Sequence, residues 1–359
     1  MSVIRERMSS SEGRRSSYRL VAYLVRCRSS QLLVAILLLS AVLRVAAAIY
    51  LGDKIVDLPG TADQISYHTL ALRVLHNHGF TFDQPWWPLT AEGAPTAHWS
   101  YLYTLYLVAV YTIFGPHPLA ARLIQAIIVG LLHPYVVYRI ADRVFPPSPY
   151  QREASGGARS SLRELMAVPL LAAGITAVYI YFVYYTATWM TEPFYITAIL
   201  AALYLTITLA DRLSELGRQR TEIRARKLQI ALGLALAVAG LMRQLFLIFI
   251  PFLCLWLGIS VFERCPRRRL FFSVSISLAI VVLAILPFTA YNYSRFGRFV
   301  LLNTNAGYAF FWANHPIYGT DFVAILPPKG PSYQELIPSE LRHLDEAALD
   351  QALLREGLR

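Results

Sequence analysis

The chain of 359 residues is 56% hydrophobic and only 15% charged, with a mean hydropathy of +0.46, too apolar and too unevenly so for a soluble domain. The composition therefore predicts an all-α polytopic membrane protein. A net charge of +11 would suit nucleic acid, but no basic recognition module carries it, and an excess confined to short loops between apolar runs is the positive-inside bias.

The first 30 residues, "MSVIRERMSSSEGRRSSYRLVAYLVRCRSS", are basic and precede an apolar run with no small-residue cleavage signature. They are read as a cytoplasmic tail, 1–30, ahead of an uncleaved anchor. Cys27, Cys254 and Cys265 have neither paired nor metal-ligand spacing, so no disulfide framework is expected.

Apolar runs follow at about 31–51, 99–115, 118–140, 166–187, 190–210, 229–262 and 270–290, judged against the ~20 residues that cross hydrocarbon. Arginines cluster before the first run, in 139–165 (Arg139, Arg143, Arg152, Arg159, Arg163), in 211–228 and in "ERCPRRR", which places all four segments on the cytoplasmic side. For 139–165 to be inside, one of the three runs before it must not cross. "WSYLYTLYLVAVYTIFG", short and rich in tyrosine, suits a juxtamembrane helix, because aromatic rings with polar tips prefer the interface.

The run 229–262 also lies between two inside segments, and as one helix it would be ~51 Å long against a ~30 Å core. Two helices hinged in "GLMRQ" are predicted. The result is seven crossings, 31–51, 118–140, 166–187, 190–210, 229–241, 244–262 and 270–290, within a transmembrane module 31–290. The first outer loop is 52–117, and the segment 291–359 lies outside after the last span.

The outer segments collect the chemistry. Asp63 opens "DQISYHTLALRVLHNHG", whose near-helical apolar spacing predicts an amphipathic helix on the membrane surface. The plain explanation of Asp63 is a carboxylate favoured by a helix N-terminus. Glu192 follows Thr191 and precedes Pro193 at the start of the fourth span, a good N-terminus with Thr191 as cap. Two acids brought to one face by separate segments also look like a site. Arg243 interrupts an apolar stretch and must line a cavity, meet an anion or snorkel to headgroups; Arg44 and Arg122 share that choice. Arg295 and Arg298 lie just beyond the last span among aromatics, where they suit a phosphate ligand or lipid phosphate. The histidines lack zinc-site spacing, and no glycine-rich phosphate loop is present.

Taken in order, "ADQISYHTLA", "APTAHWSYLYTLYLVAVYTIFG", "TEPFYITAILAALYL", "GLMRQLFLIFIPFL" and "ILPFTAYNYSRFGRFVLLNTNAGYAFFWANHP" resemble the GT-C membrane glycosyltransferases, closest to the family 39-like and aminoarabinose-transferase-like branches. The resemblance runs from about residue 31 to the end and is most specific over 286–316. It implies a module of about seven transmembrane helices with juxtamembrane helices in a long first outer loop. It further implies a polyprenyl-phosphate-linked sugar donor and a lipid, glycan or protein acceptor at the outer face of a cell membrane.

On that resemblance Asp63 takes the place of the first-loop catalytic acid, although Gln64 follows it where protein O-mannosyltransferases carry a second acid. Glu192 matches the acid of the second outer loop, Arg243 a cavity arginine, and His98, in "AHWSY", a histidine that relatives follow with two prolines. Tyr67, His98, Arg243, Arg295, Arg298 and Asn305 form the candidate substrate-binding set around catalytic Asp63 and Glu192. The resemblance settles no cofactor, and a divalent metal between the two acids is conceivable. Relatives continue with further spans beyond "ALLREGLR", so the resemblance reads this chain as shortened or as a fragment. A lipid-linked sugar flippase is the alternative, but it would more readily show an internal repeat with paired broken helices. An inert membrane scaffold would leave Asp63, Glu192 and Arg243 pointing apart.

Overall fold

The computed structural model describes residues 29–56, 58, 61, 63–145, 158–215, 219–314 and 333–358. The expected basic tail up to residue 28, Cys27, and the arginine-bearing stretch 146–157 lie outside the described residues. Among the described residues the protein is helical, with two isolated β-bridges, Thr81 to Pro95 and Trp86 to Thr90, and no strand. The chain is an all-α polytopic protein. Among the described residues six helices are long and apolar enough to cross a membrane, and a bent pair makes a seventh if it counts as one span.

The first unit combines residues up to Gly52 with Arg122–Thr188. It contains α1 (Ser29–Leu51), most of α4 (Pro118–Val144), α5 (Ala158–Val178) and α6 (Ile180–Ala187). Close approach of α1 and α4 depends on Gly130, where a Cβ would lie 2.8 Å from Ala41 Cα. The helix breaks at Tyr179, whose φ of −61° and ψ of 117° are extended, and the pair bends by 49°. Such a break strips carbonyls of their intrahelical donors. Arg44 of α1 supplies them: Nη1 donates to Ala177 O at 2.9 Å and Nη2 to Thr176 O at 3.2 Å. Its Nη1 also reaches Ser40 Oγ at 2.6 Å. Arg122 donates to Gly52 O at 2.5 Å, and Gln125 Nε2 to Thr186 O and Thr188 O, both at 2.8 Å. Arg44 and Arg122 are fully buried, so both bond backbone carbonyls and neither snorkels.

The second unit, Asp53–Ala121 and Trp189–Arg359, contains the remaining elements. These are α2 (Asp63–Leu75), α3 (Tyr101–Phe114), α7 (Glu192–Ser214), α8 (Gln219–Met242), a 3₁₀ turn Gln244–Phe249, α9 (Ile250–Val261) and α10 (Arg267–Phe296). After them come α11 (Ala306–Ala313), α12 (Tyr333–Leu336) and α13 (Glu346–Gly357). Its core joins small residues of α7 (Ala198, Ala202) to Leu232 and Leu236 of α8, Leu253 and Leu257 of α9, and Val281 and Ile285 of α10. Gly233 lets α8 approach α10, since a Cβ there would lie 2.9 Å from Ile280 Cβ. Gln229 and Ser273 pair at 2.8 Å in the same contact. Small residues and paired polar groups are how helices associate in lipid, where burial of apolar surface supplies little drive.

The long apolar run divides where its length requires. α8 ends at Met242, Arg243 is extended (φ −147°, ψ 111°), and the 3₁₀ turn leads into α9. α3 has 14 residues, ~21 Å at 1.5 Å per residue, too short to cross ~30 Å of hydrocarbon. Ser100 caps it by accepting from Tyr103 N at 3.3 Å and donates its own hydroxyl to Leu241 O at 2.9 Å, tying the start of α3 to the end of α8.

The predicted surface helix is α2, but its inner face is more polar than the pattern suggested. Gln64, Ser66 and Tyr67 are buried with Leu70 and Ala71. Ser66 Oγ accepts from Trp86 Nε1 at 2.9 Å, and His68 Nδ1 meets Tyr111 Oη of α3 at 2.8 Å. Packing on α3 supplies partners that a helix lying on lipid would lack.

Candidate functional site

Three chain segments of the second unit converge at the break. Arg243 is the extended residue itself, so its side chain leaves the turn instead of following the helical stripe. Its Nη2 donates to Glu192 Oε1 at 2.5 Å, and its Nε donates to Thr191 Oγ1 at 3.2 Å. Its guanidinium carbon stands 5.9 Å from the Tyr195 ring centroid. Thr191 is thus not the helix cap expected of it. Its backbone is helical, and its hydroxyl makes no capping bond.

Asp63 is the third member. A carboxylate in the first turn of a helix is normally eased toward its ionised form by the dipole. Here burial pushes the Asp63 carboxyl up to about 6, the nearby Glu192 charge pushes the same way, and Arg243 opposes them. Desolvation and a like charge favour the neutral acid, while an adjacent cation favours the carboxylate. The result is a group that exchanges its proton near neutrality. Among the described residues, no hydrogen bond to the Asp63 carboxylate occupies its lone pairs.

Tyr67, one turn along α2, is buried, and its hydroxyl accepts from Ser100 N at 3.4 Å. Burial first, and then Asp63, hold its phenol well above the ordinary value, so it is a neutral donor at this edge of the site. Its ring packs edge-on to Trp99 at 5.6 Å and to Tyr103 at 4.8 Å. His98 belongs to the same aromatic group, against Trp99 at 5.1 Å, Trp87 at 4.9 Å and Tyr308 at 5.7 Å. Burial pulls its imidazole down to about 4, a hydrogen bond to the Thr304 backbone acting in the other direction. His98 is therefore neutral, which makes it a possible hydrogen-bonding group and a poor cation for phosphate.

Asn305 joins the site through Gln244, the residue after Arg243. Gln244 Nε2 donates to Asn305 Oδ1 at 3.0 Å and to Asn303 O at 3.1 Å, and Gln244 Oε1 accepts from Asn303 N at 3.0 Å. Asn303 Nδ2 in turn donates to Ala97 O and Trp99 O at 3.0 and 2.9 Å. This strap fixes the segment after α10 against both the break and the lead-in to α3.

Arg298 and Arg295 stand apart from the triad. Arg298 Nη2 pairs with Asp345 Oδ2 at 3.3 Å, and Arg295 is exposed with its guanidinium 5.2 Å from the Tyr291 ring centroid. Neither has a contact with Asp63, Glu192 or Arg243 among those the described residues make. No group of three or more His, Cys, Asp or Glu that could hold a metal ion occurs among the described residues. Glu192 already faces a guanidinium, so a cation held between it and Asp63 would have to share that carboxylate.

Glu346 is a site residue that the sequence pattern does not single out. Asp345 and Glu346 look alike at the start of an amphipathic helix, and Asp345 does cap it, accepting from Ala348 N at 2.8 Å. Glu346 turns inward instead, 5% exposed. It accepts from Thr90 Oγ1 at 2.8 Å, Ala97 N at 2.7 Å and Thr304 Oγ1 at 2.5 Å, and burial raises its carboxyl against those bonds. Asp350 accepts from Gly307 N and Tyr308 N at 2.8 and 3.2 Å, and burial raises it to about 6. Between them the two acids fasten α13 to the first-loop segment 90–97 and to α11.

No protein-family model matches the chain, and no curated protein and no solved structure matches it.

Proposed function

We propose that this protein is a membrane glycosyltransferase of the GT-C kind, moving a sugar from a polyprenyl-phosphate carrier to an acceptor at the outer face of a cell membrane. The observation that carries the proposal is the meeting of Asp63, Glu192 and Arg243, from three distant segments, at the end of apolar helices. An inert scaffold has no need to hold a half-buried carboxylate near pH 6 beside an ion pair. The arginine distribution of the sequence supports an inside N-terminus, which puts this end of the helices outside.

The chemistry asked of the site is modest, because phosphate already leaves as a stabilised anion. The acceptor oxygen or nitrogen attacks the anomeric carbon, the bond from that carbon to the phosphate oxygen breaks with its electron pair, and the acceptor's proton passes to Asp63. A positioned base is worth about 10²–10⁴-fold. Arg243 stabilises the departing phosphate, a preorganised charge of the kind that removal experiments value at about 10²–10³-fold. Glu192 holds Arg243 in place and raises the proton affinity of Asp63. Tyr67, His98 and Asn305 line the approach as neutral polar groups, and Arg295 and Arg298 meet headgroups at the rim. A single displacement inverts the anomeric centre.

The test is transfer of radiolabelled sugar from polyprenyl-phosphate donors in membranes holding the protein, with wild type and Asp63→Asn at matched expression. Loss of about 10²-fold or more is expected. Undiminished transfer would remove Asp63 from the mechanism, and no transfer from any donor would overturn the transferase reading.

A further inference from the structure

A cleft of about 840 Å³ opens between α9 and α10 beside the 262–266 turn. Its charged end, from Glu263 to Arg267, is far from Arg243: the 18 residues Gln244–Val261 lie between them, ~27 Å at helical rise. Its walls are apolar, with Leu255, Ile259 and Leu270, while Glu263, Arg264 and Arg267 share its lining. Gly258 forms part of its floor, where a Cβ would lie 3.8 Å from Leu270 Cδ2, ordinary contact.

Three features give the cleft an anionic preference. Arg264 and Arg267 place two cations against the single carboxylate of Glu263, with Arg268 and Arg269 next in the chain. The guanidinium of Arg267 lies 5.5 Å from the Phe262 ring centroid, which holds the charged end at the turn instead of letting it sweep through solvent. α10 begins at Arg267, so the positive end of its dipole and its first-turn amides are at the same level. A purely apolar recess would be filled by any acyl chain, and a purely basic patch by any anion. Here the two occur together, and Leu255 and Ile259 continue outward as exposed apolar surface, 61% and 70% accessible.

We propose that this cleft binds one anionic phospholipid of the surrounding bilayer, with its phosphate between Arg264 and Arg267 and its acyl chains along Leu255, Ile259 and Leu270. The site is independent of the transferase reading. Juxtamembrane cations each contribute about fivefold to the retention of an anionic lipid, so two contribute about 25-fold.

Native mass spectrometry of the full-length protein, with phosphatidylglycerol or phosphatidylcholine added, reads this directly. One phosphatidylglycerol per chain is expected to stay bound, with phosphatidylcholine lost. The double change Arg264→Gln with Arg267→Gln should weaken retention about 25-fold, and Arg264→Lys with Arg267→Lys should keep most of it. Gly258→Trp, which leaves every charge in place, should also expel the lipid by filling the floor. Cys254 lines the cleft, so in a Cys27→Ser, Cys265→Ser background its maleimide labelling should slow when phosphatidylglycerol is bound. Equal retention of both lipids, retention unchanged by the glutamine pair, or protection of Cys254 by inorganic phosphate as complete as that by lipid would each overturn the proposal.

Discussion

Two arginines sit among apolar helices at a helix break, one in each unit, and they have been put to opposite uses. Arg44 belongs to a different helix from the break it serves, is fully buried, and directs its bonds at carbonyls that the 49° bend leaves without donors. Arg243 is itself the broken residue, its side chain is 44% exposed, and its partner is a carboxylate. The carbonyls and Ser40 Oγ occupy Arg44's terminal nitrogens without cancelling its charge, and burial keeps a ligand from reaching it. A single carboxylate cancels the charge and leaves donors facing outward. Burial inside a bilayer is therefore a poor guide to function, and what each N–H meets is a better one.

The comparison breaks most sharply under substitution. Arg243→Ala should lower transfer about 10²-fold or more while the protein still elutes as a folded species, as expected of a charge used on the departing group. Arg44→Ala should do the reverse, costing roughly 3 kcal/mol of stability through unpaired buried carbonyls and a cavity and leaving transfer per folded molecule nearly unchanged. Thermal unfolding in detergent, paired with transfer assays, reads both. Equal losses of activity per folded molecule would remove the distinction.

A second contrast separates the acid proposed to react from the acids that fasten. Glu346→Ala strands the donors of Thr90, Ala97 and Thr304, and is expected to cost about 2–3 kcal/mol and to speed proteolysis at 333–358. Glu346→Gln should recover most of that loss. Asp350 sharpens the point through pH. Its folded value of about 6 exceeds the ordinary ~3.9, so the folded state binds the extra proton. Its contribution favours folding below pH ~4 and fades as pH rises through about 6. Asp350→Asn should flatten that slope in melting temperature between pH 4 and 7.

The smallest effect is the most diagnostic. Transfer limited by a base at about 6 should fall with pH below that value. Arg243→Gln, by removing the cation, should move the acid limb upward in the activity that remains; Glu192→Gln, by removing the like charge, should move it downward. Limbs that move the same way in both variants would deny that Asp63 feels the pair.

Much of this was readable beforehand where one physical constraint dominated. Span length required a break within 229–262, because excess length is costly in hydrocarbon, and the tyrosine-rich run at 99–115 forms a helix of only 14 residues. Asp63, Glu192 and Arg243 were conspicuous as charges next to apolar runs. Glu346 was not, since an acid in the first turn of an amphipathic helix looks the same whether it caps, faces solvent or turns inward. The partner of Arg298 was hidden for a related reason: Asp345 lies 47 residues on, and local spacing cannot reveal so distant a contact. The strap of Gln244, Asn303 and Asn305 is also made of residues that are ordinary in loops.

The pairing of Glu192 with Arg243 also has an order in time. The two are 51 residues apart, and at ribosomal speeds of about 5–20 residues per second the acid emerges some 3–10 seconds before its cation. During that interval Asp63 and Glu192 have only each other as ionisable neighbours in the triad, and the arrival of Arg243 turns a repulsive pair into a usable site. The charge balance of the triad is thus completed only when the residue that divides the run 229–262 has been made.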